Sequence, residues 1–370
     1  MRSAIALAER GRWTACPNPT VGAVLVHDGL IVAEGWHTAR GQAHAEVECL
    51  RDARAKGVDP AACTLVVTLE PCNHFGATPP CSHAVLEAGI RHVVVGLRDP
   101  NPQAAGGGTY LEEHGVRVEY GVEEALCRDL VADFLIWQQT DRPYVILKLA
   151  STLDGRIGTR SGHSQWVSSE GSRAAVHTLR AGIGRCGGAV LIGGGTFRAD
   201  NPQLTTRTAD ADADAPHPLA CVLTSRLPQP TSNYFLVQER PTETIFLATP
   251  AAAASPAAHA LRDHGLRVWD LAPPPGGHGP DFRKLFARLR QELHCPYILC
   301  EGGGKLALSL LEAGLVDEFR LHMAPRILGD NSSRPLFDGR SPLHMSEALP
   351  LRITHHEICG PDLHITLRPA

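Results

Sequence analysis

Two short segments of this sequence bring together residue types that can activate water. His44-Ala45-Glu46 supplies an imidazole and, two residues on, a carboxylate; Pro71-Cys72 and Cys81 supply two thiols. One imidazole and two thiolates suit zinc and leave a fourth position for water, whose pKa the metal brings to roughly 7. Glu46 is then placed to move the water's proton without ligating the metal. Such a water can attack an amidine-like ring carbon that carries an amino group. Either half alone has a plain reading, a surface His-x-Glu or cysteines that merely pack. Their coincidence makes a zinc site with His44, Cys72 and Cys81 as ligands and Glu46 as the catalytic group the expectation.

A second set is glycine-rich. Gly193-Gly194-Gly195-Thr196 and Glu301-Gly302-Gly303-Gly304-Lys305-Leu306 each follow an apolar run that reads as a strand. Glycines there let backbone N–H groups approach phosphate at the next helix start, or are turn punctuation only. Neither loop fits the dinucleotide-fold or P-loop patterns.

The elements that must carry these residues alternate. Val21 to Val26 and Ile31 to Gly35 flank Asp28-Gly29, a hairpin signal. Ala43 to Lys56 reads as a helix with His44 and Glu46 in its first turn. Thr64 to Leu69 is a buried strand, so Cys72 falls where the next helix, Ser82 to Ala88, begins; helix N-termini favour thiolate. His92 to Gly96 is a strand, and a helical pattern runs from Tyr120 to about Gln139. Thr140-Asp141-Arg142-Pro143 breaks it, which sets expected domains at 1–142 and 143–370. The second part offers strands at Tyr144 to Leu149, Ala189 to Ile192, Leu219 to Leu223, Thr244 to Leu247, Tyr297 to Cys300 and Glu318 to Met323. Helices Ser169 to Gly182, Phe282 to Leu293 and Leu306 to Ala313 lie between them, so a largely parallel α/β sheet is expected. Ala209 to Pro218 and Ala272 to Pro280 read as surface loops.

The His-x-Glu…Pro-Cys grouping is the signature of zinc nucleobase deaminases, but the second cysteine follows a long loop rather than Cys-x-x-Cys. That loop, Pro71 to Cys81, with Pro17-Asn18-Pro19-Thr20-Val21-Gly22, His44-Ala45-Glu46 and Asp99-Pro100-Asn101-Pro102, closely resembles the bifunctional riboflavin-biosynthesis deaminase–reductases of bacteria. The resemblance continues through Lys148 to Gly155, Ser164-Gln165-Trp166, Thr196, Asp200 to Thr205 and Glu301 to Gly304, and so covers the whole chain. It implies an α/β protein with a cytidine-deaminase-like three-layer α/β/α domain followed by a dihydrofolate-reductase-like α/β domain that uses NADPH. The reaction implied is deamination of a diaminopyrimidinone ribosylamino phosphate, then reduction of its ribosyl to a ribityl chain. Asn18, His37 and His74 match positions used against the deaminase substrate, although a turn or ordinary loop histidines would explain them equally. Ala150, Trp166, Thr196, Asp200, Ser225 and the turn with Gly303, Gly304, Lys305 and Leu306 match the cofactor site. Ser164, Arg180, Leu204, Arg207 and Glu301 match the second substrate site, with Arg180 and Arg207 apt to fork onto a phosphate. Lys148 either polarises the ribose carbon that receives hydride or pairs with Asp154. Departures from the family's pattern stand at Ala77, where a basic residue is usual, with Arg40 or Arg98 as possible compensation; at Asn73, usually serine; and at Thr224 before Ser225, usually aspartate.

Composition excludes other classes. Lys+Arg 35 against Asp+Glu 39 gives a net charge of −4, and aromatics are 5%; a nucleic-acid deaminase would show a basic, aromatic-studded surface. The contrasting possibility of a structural zinc requires a fourth protein ligand. Eleven cysteines in 370 residues favour packing and metal roles in a reducing cytoplasm. No apolar run reaches the ~20 residues of a membrane span, and the N-terminus reads as an amphipathic helix. The expected partners are a small pyrimidine ribotide and further copies of the chain, with no nucleic acid and no membrane.

Overall fold

The computed structural model describes residues 1–75, 79–207, 216–277 and 279–370. Ala77 and most of the loop expected at Ala209 to Pro218 lie outside the described residues. The chain falls into two compact units, Met1–Thr140 and Asp141–Ala370.

In the first unit, helix α1 (Arg2–Ala8) precedes the hairpin β1 (Gly22–His27) and β2 (Leu30–Trp36), then α2 (Ala45–Ala55), β3 (Thr64–Leu69), α3 (Cys81–Glu87) and β4 (His92–Leu97). The run ends with α4 (Gly107–Glu113), β5 (Arg117–Tyr120), α5 (Glu124–Leu130) and α6 (Ala132–Gln139). The sheet order is β2-β1-β3-β4-β5, antiparallel at β2-β1-β3 and parallel beyond. Alternate residues of the strands face opposite ways. Ala23, Leu25, Leu65, Val67, Val93 and Val95 pack with Ala45, Cys49, Ala53, Val85 and Leu111 of α2, α3 and α4. Val24 and Val66 pack on α1 from the other face, where Leu97 also meets Cys127, Leu130 and Phe134 of α5 and α6. The result is the expected α/β/α sandwich. The long helix expected after Tyr120 is two helices meeting at Val131.

The second unit begins with β6 (Tyr144–Thr152), β7 (Arg156–Gly158), α7 (Glu170–Arg185), β8 (Ala189–Gly193), α8 (Gly194–Asp200) and β9 (Leu219–Leu223). It continues with α9 (Phe235–Gln238), β10 (Thr244–Ala248), α10 (Pro250–Ala253), α11 (Pro256–Asp263), β11 (Arg267–Asp270), α12 (Phe282–Leu293) and β12 (Tyr297–Cys300). The last elements are α13 (Gly304–Glu312), β13 (Glu318–Ala324), β14 (Arg334–Pro335), β15 (Leu351–Cys359) and β16 (Asp362–Pro369). Nine strands run in the order β11-β10-β9-β8-β12-β6-β13-β16-β15. The sheet is parallel as far as β13, then antiparallel through β16 and β15. Val145, Leu147, Leu149, Leu191, Ile298 and Cys300 point to α12 and α13. Lys148, Ala150, Tyr144 and Tyr297 therefore face the other side, with α7.

Candidate active sites

In the first unit the sequence places its ligands by packing the start of α2 hard against β2. A side chain at Gly35 would have its Cβ 2.2 Å from the Cys49 nitrogen and 2.5 Å from the Ala45 oxygen, so only glycine admits this approach. His44 is the residue that caps α2, and Glu46 lies in its first turn. Cys72 follows β3 and Cys81 opens α3. His44 Nδ1 lies 3.5 Å from Cys72 Sγ and 3.3 Å from Cys81 Sγ, and the three donor atoms are within 4.8 Å of one another. A tetrahedral zinc with Zn–S near 2.3 Å and Zn–N near 2.05 Å separates such donors by about 3.6 Å, so these residues fit the metal. Among the described residues this cluster has three ligands, not the four of a structural site.

Its electrostatics point the same way. Cys81 donates to Cys72 and holds that thiol down to about 4, with His44 adding to the effect, while Cys81 itself is pushed up by sharing its proton and by burial. His44 is raised, first by its hydrogen bond to Cys72. Glu46 is 3% exposed; burial, then the charge of Cys72, lifts its carboxyl to about 7. A zinc cation beside it would pull that value back down.

Asn18 and His37 join this centre. His37 is buried and packs edge-on against the His44 ring, with centroids 5.3 Å apart. Its Nδ1–H donates to the Ala43 carbonyl at 3.1 Å, which leaves Nε2 to accept from Asn18 Nδ2 at 3.1 Å. Burial lowers its pKa first, so the ring is neutral. His74 is exposed on the loop after Cys72. Arg98 stacks over Tyr120 at 3.6 Å, so its guanidinium is already engaged.

One contributor escaped the sequence reading, and another was noted there only as a departure. Buried Glu70 accepts from Gly108 N at 3.0 Å and Asp99 N at 3.1 Å, tying the segment before Cys72 to α4 and the end of β4. Asn73, the unusual residue between the cysteines, accepts from Ser82 Oγ at 2.7 Å and donates its N–H to the Ala104 carbonyl at 3.0 Å. No motif announces either; both are defined by what folds beside them.

In the second unit the glycine loops come together, because β8 and β12 are neighbours in the sheet. α8 starts at Gly194 and α13 at Gly304. A Cβ at Gly193, Gly195 or Gly303 would meet nothing within 4 Å, whereas one at Gly304 would strike the Leu336 oxygen at 2.6 Å. Open space over three glycines at two helix starts fits the phosphates of a dinucleotide. Thr196 is half-buried and Asp200 exposed on α8, and Ser225 and Arg226 are exposed after β9. Trp166 is 59% exposed, with Arg173 over its ring at 4.4 Å. Lys305 reaches Asp338 at 3.6 Å. Leu306 is packed in the core beneath α13, so only its backbone can face a cofactor.

The arginines differ from the expected phosphate fork. Arg180 grips Glu301 with both arms, at 2.6 and 2.7 Å, since Glu301 ends a buried strand and needs a partner. Arg207 is exposed and bonds to Gln203 and Thr205. Leu204 is 2% exposed with φ +52°. Buried Arg240 holds that strained turn by donating to the Gln203 and Leu204 carbonyls at 3.0 and 3.1 Å. Ser164 is half-buried. Lys148 does not pair with Asp154, whose carboxylate is taken by Thr152 Oγ1 and the N–H groups of Leu328 and Gly329. Burial lowers the Lys148 ammonium to about 8, against the opposing pull of Glu301.

Comparison with known proteins gives these centres a family. Residues 1–97 match the cytidine and deoxycytidylate deaminase zinc-binding region, and residues 143–365 match the RibD C-terminal domain. The chain is 37% identical to riboflavin biosynthesis protein RibD of Aquifex aeolicus over 369 residues, covering 99% of this chain and 96% of that one. It is 38% identical to the Escherichia coli RibD, covering 90% and 88%. Among solved structures, the deaminase/reductase of Thermotoga maritima superposes with a TM-score of 0.78 at 32% identity, covering 100% of this chain and 97% of that one. Acinetobacter baumannii RibD gives 0.75 at 34%, with the same coverage. With similarity of this strength running the length of both units, the chain belongs to the RibD family of bifunctional deaminase–reductases in riboflavin biosynthesis.

Proposed function

We propose that residues 1–142 deaminate 2,5-diamino-6-ribosylamino-4(3H)-pyrimidinone 5′-phosphate and that residues 143–370 then reduce the ribosyl group of the product to ribityl with NADPH. The observation that carries the reading is the triangle of His44, Cys72 and Cys81 beside a buried carboxylate that is not part of it.

Zinc held by these three residues supplies the Lewis acidity that makes water a nucleophile at neutral pH. Glu46 takes that water's proton, delivers it to the ring nitrogen, and later protonates the departing ammonia. The neutral ring of His37, fixed by Ala43 and Asn18, holds His44 in place and, with Asn18 and His74, bounds the pyrimidine pocket.

In the second unit Gly193, Gly195 and Gly303 would hold the cofactor's phosphates, and Ser225 with Arg226 its 2′-phosphate. Ala150, Trp166, Thr196 and Asp200 would line the rest, with the backbone of Gly304 to Leu306. A bound NADPH would supply the hydride that converts the ribosyl group to ribityl, a change in which the ring oxygen must gain a proton as its bond to the anomeric carbon opens. Lys148 gives that oxygen its proton; an ammonium drawn down to about 8 gives it up readily near neutral pH. Arg207, the guanidinium left more open to solvent, would meet the substrate phosphate near Ser164, while the Arg180–Glu301 pair braces the floor.

Two finer readings accompany this. The chain acts as a homo-oligomer, supported by the uncovered edge strand β15 with Ile353 63% and Ile358 72% exposed. It works in the cytoplasm, supported by eleven cysteines that all stand as free thiols.

The test is a coupled assay with the diaminopyrimidinone ribotide, zinc-loaded protein and NADPH, repeated with the deaminated intermediate supplied. Glu46→Gln should end ammonia release while leaving reduction of the supplied intermediate. Arg207→Ala should weaken reduction alone. Normal ammonia release by Glu46→Gln would sink the mechanism.

A further inference from the structure

The face of the second sheet that α7 covers carries an unusual concentration of ionisable side chains, and nearly all of them satisfy one another. Arg180 and Glu301 form a two-armed pair. Arg320 and Arg368 share Glu318, at 2.6 and 3.1 Å. Ser172 on α7 gives its proton to Asp362 at 2.6 Å, so it must accept from His364 Nε2 at 2.8 Å; a carboxylate cannot donate. This is the reverse of a nucleophilic serine, whose proton would go to the histidine. The other nitrogen of His364 lies 3.6 Å from Glu357 on β15.

Two groups in this cluster remain unspent. Lys148 Nζ makes no hydrogen bond or ion pair among the described residues. His322 is 5% exposed, and its Nδ1 is sealed without a partner. They are neighbours: Lys148 pairs in register with Arg320, and Ala150 with His322, on adjacent parallel strands, so both side chains project from one face. The charge of Lys148 is among the causes that lower the His322 pKa.

We propose that His322 is a further substrate-binding residue of the reductase site: a neutral imidazole whose Nε2–H donates to a ribose oxygen of the substrate, beside Lys148. The inference rests on the reductase reading above and goes beyond it. The tautomer follows from the sealed nitrogen, because an orphaned buried N–H is rarer than an orphaned acceptor, so the proton belongs on Nε2. Neutrality follows from the surroundings. The ring stacks on His364 at 3.7 Å with planes 13° apart, and burial, then Lys148, His364 and Arg320, all disfavour a second cation. A neutral donor also has a chemical merit here: it stabilises developing charge on oxygen without competing with Lys148 as the acid. His364, held by Ser172 and Asp362, is the positioning residue that keeps the ring in place.

The test uses the full-length protein labelled with 15N-histidine, free of cofactor, with the His322 signal assigned by its loss in His322→Phe. The wild-type ring should remain neutral with its proton on Nε2 down to pH 5.5, and saturating deaminated ribotide should shift the Nε2 resonance. A proton on Nδ1, titration near pH 6.5, or no shift with substrate would each overturn the proposal, whether or not the variant folds. In kinetics, His322→Phe keeps the stack but removes the donor; kcat for reduction should fall by about 10²-fold, with KM for NADPH unchanged and partial recovery in His322→Gln. Reduction that survives Lys148→Met would instead defeat the underlying reading of the site. Loss in Lys148→Met with a normal kcat in His322→Phe would defeat this inference alone.

Discussion

At the scale of single residues, the proposed mechanism separates metal holding from proton transfer. His44, Cys72 and Cys81 meet within 4.8 Å, and Glu46 lies outside that set. Glu46→Gln should therefore keep zinc at one equivalent per chain by metal analysis while deamination falls by about 10³-fold. Cys81→Ser should lose both. Stripping zinc with a chelator should abolish ammonia release yet leave NADPH oxidation on the supplied intermediate, because no described residue of the second unit belongs to the cluster. The clustered residues were legible in the sequence from their types and from His44 and Cys81 at helix starts, whereas Cys72, expected where a helix begins, lies in the loop after β3. The partners that hold them were not. Glu70 serves through backbone groups of residues far along the chain, Gly108 and Asp99, and nothing in its neighbourhood marks it. Arg180 shows the converse: its type suggests a phosphate binder, and its pairing with the Glu301 carboxylate is visible only in the fold.

At the scale of elements, the strands with continuous branched runs were readable almost to the residue, as Thr64 to Leu69 and Tyr297 to Cys300 show. The C-terminal hairpin was not. β15 carries Arg352, His355, His356 and Glu357 and is mostly exposed, so it lacks the apolar alternation on which a strand assignment depends. β5 and β11 are only four residues each, too short for periodicity to register. Two predictions belong here. Gly35→Ala forces α2 away from β2, because the added Cβ would sit 2.2 Å from a backbone nitrogen. It should destabilise the first unit by about 2 kcal/mol in chemical denaturation and lower zinc affinity with it, although residue 35 touches no metal. His294 ends α12 exposed, in the left-handed region at φ +51°, a position glycine occupies without strain. His294→Gly should raise stability by about 0.5–1 kcal/mol; an unchanged or lower melting temperature would refute that account of the cap.

At the scale of the whole molecule, acid should unfold the second unit through histidines that the fold keeps uncharged. His177, His322 and His364 all lie below the usual histidine value, each first because of burial, and His322 falls to about 2. In the unfolded chain these groups take up protons near pH 6.5. Between that pH and their folded values the unfolded state binds more protons, so stability rises with pH there. The stabilisation is complete above about pH 7 and drains away on acidification, at up to about 1.4 kcal/mol per pH unit for each histidine that stays neutral. Asp154, held near 2 by Thr152 and two backbone N–H groups, acts in the same direction, but only below pH 4, where its unfolded counterpart protonates. Because His322 stays neutral in the folded protein to about 2, the two contributions overlap below pH 4, and only between pH 7 and 5 do the histidines act alone. Replacing His322 and His364 together by phenylalanine keeps a stacked pair and removes both titrating rings. Its stability should depend less on pH than the parent's between 7 and 5, where Asp154 does not titrate. Parallel curves for parent and variant between pH 7 and 5 would mean that the imidazoles charge freely in the folded protein, and the neutral pair beside Lys148 would have to be abandoned.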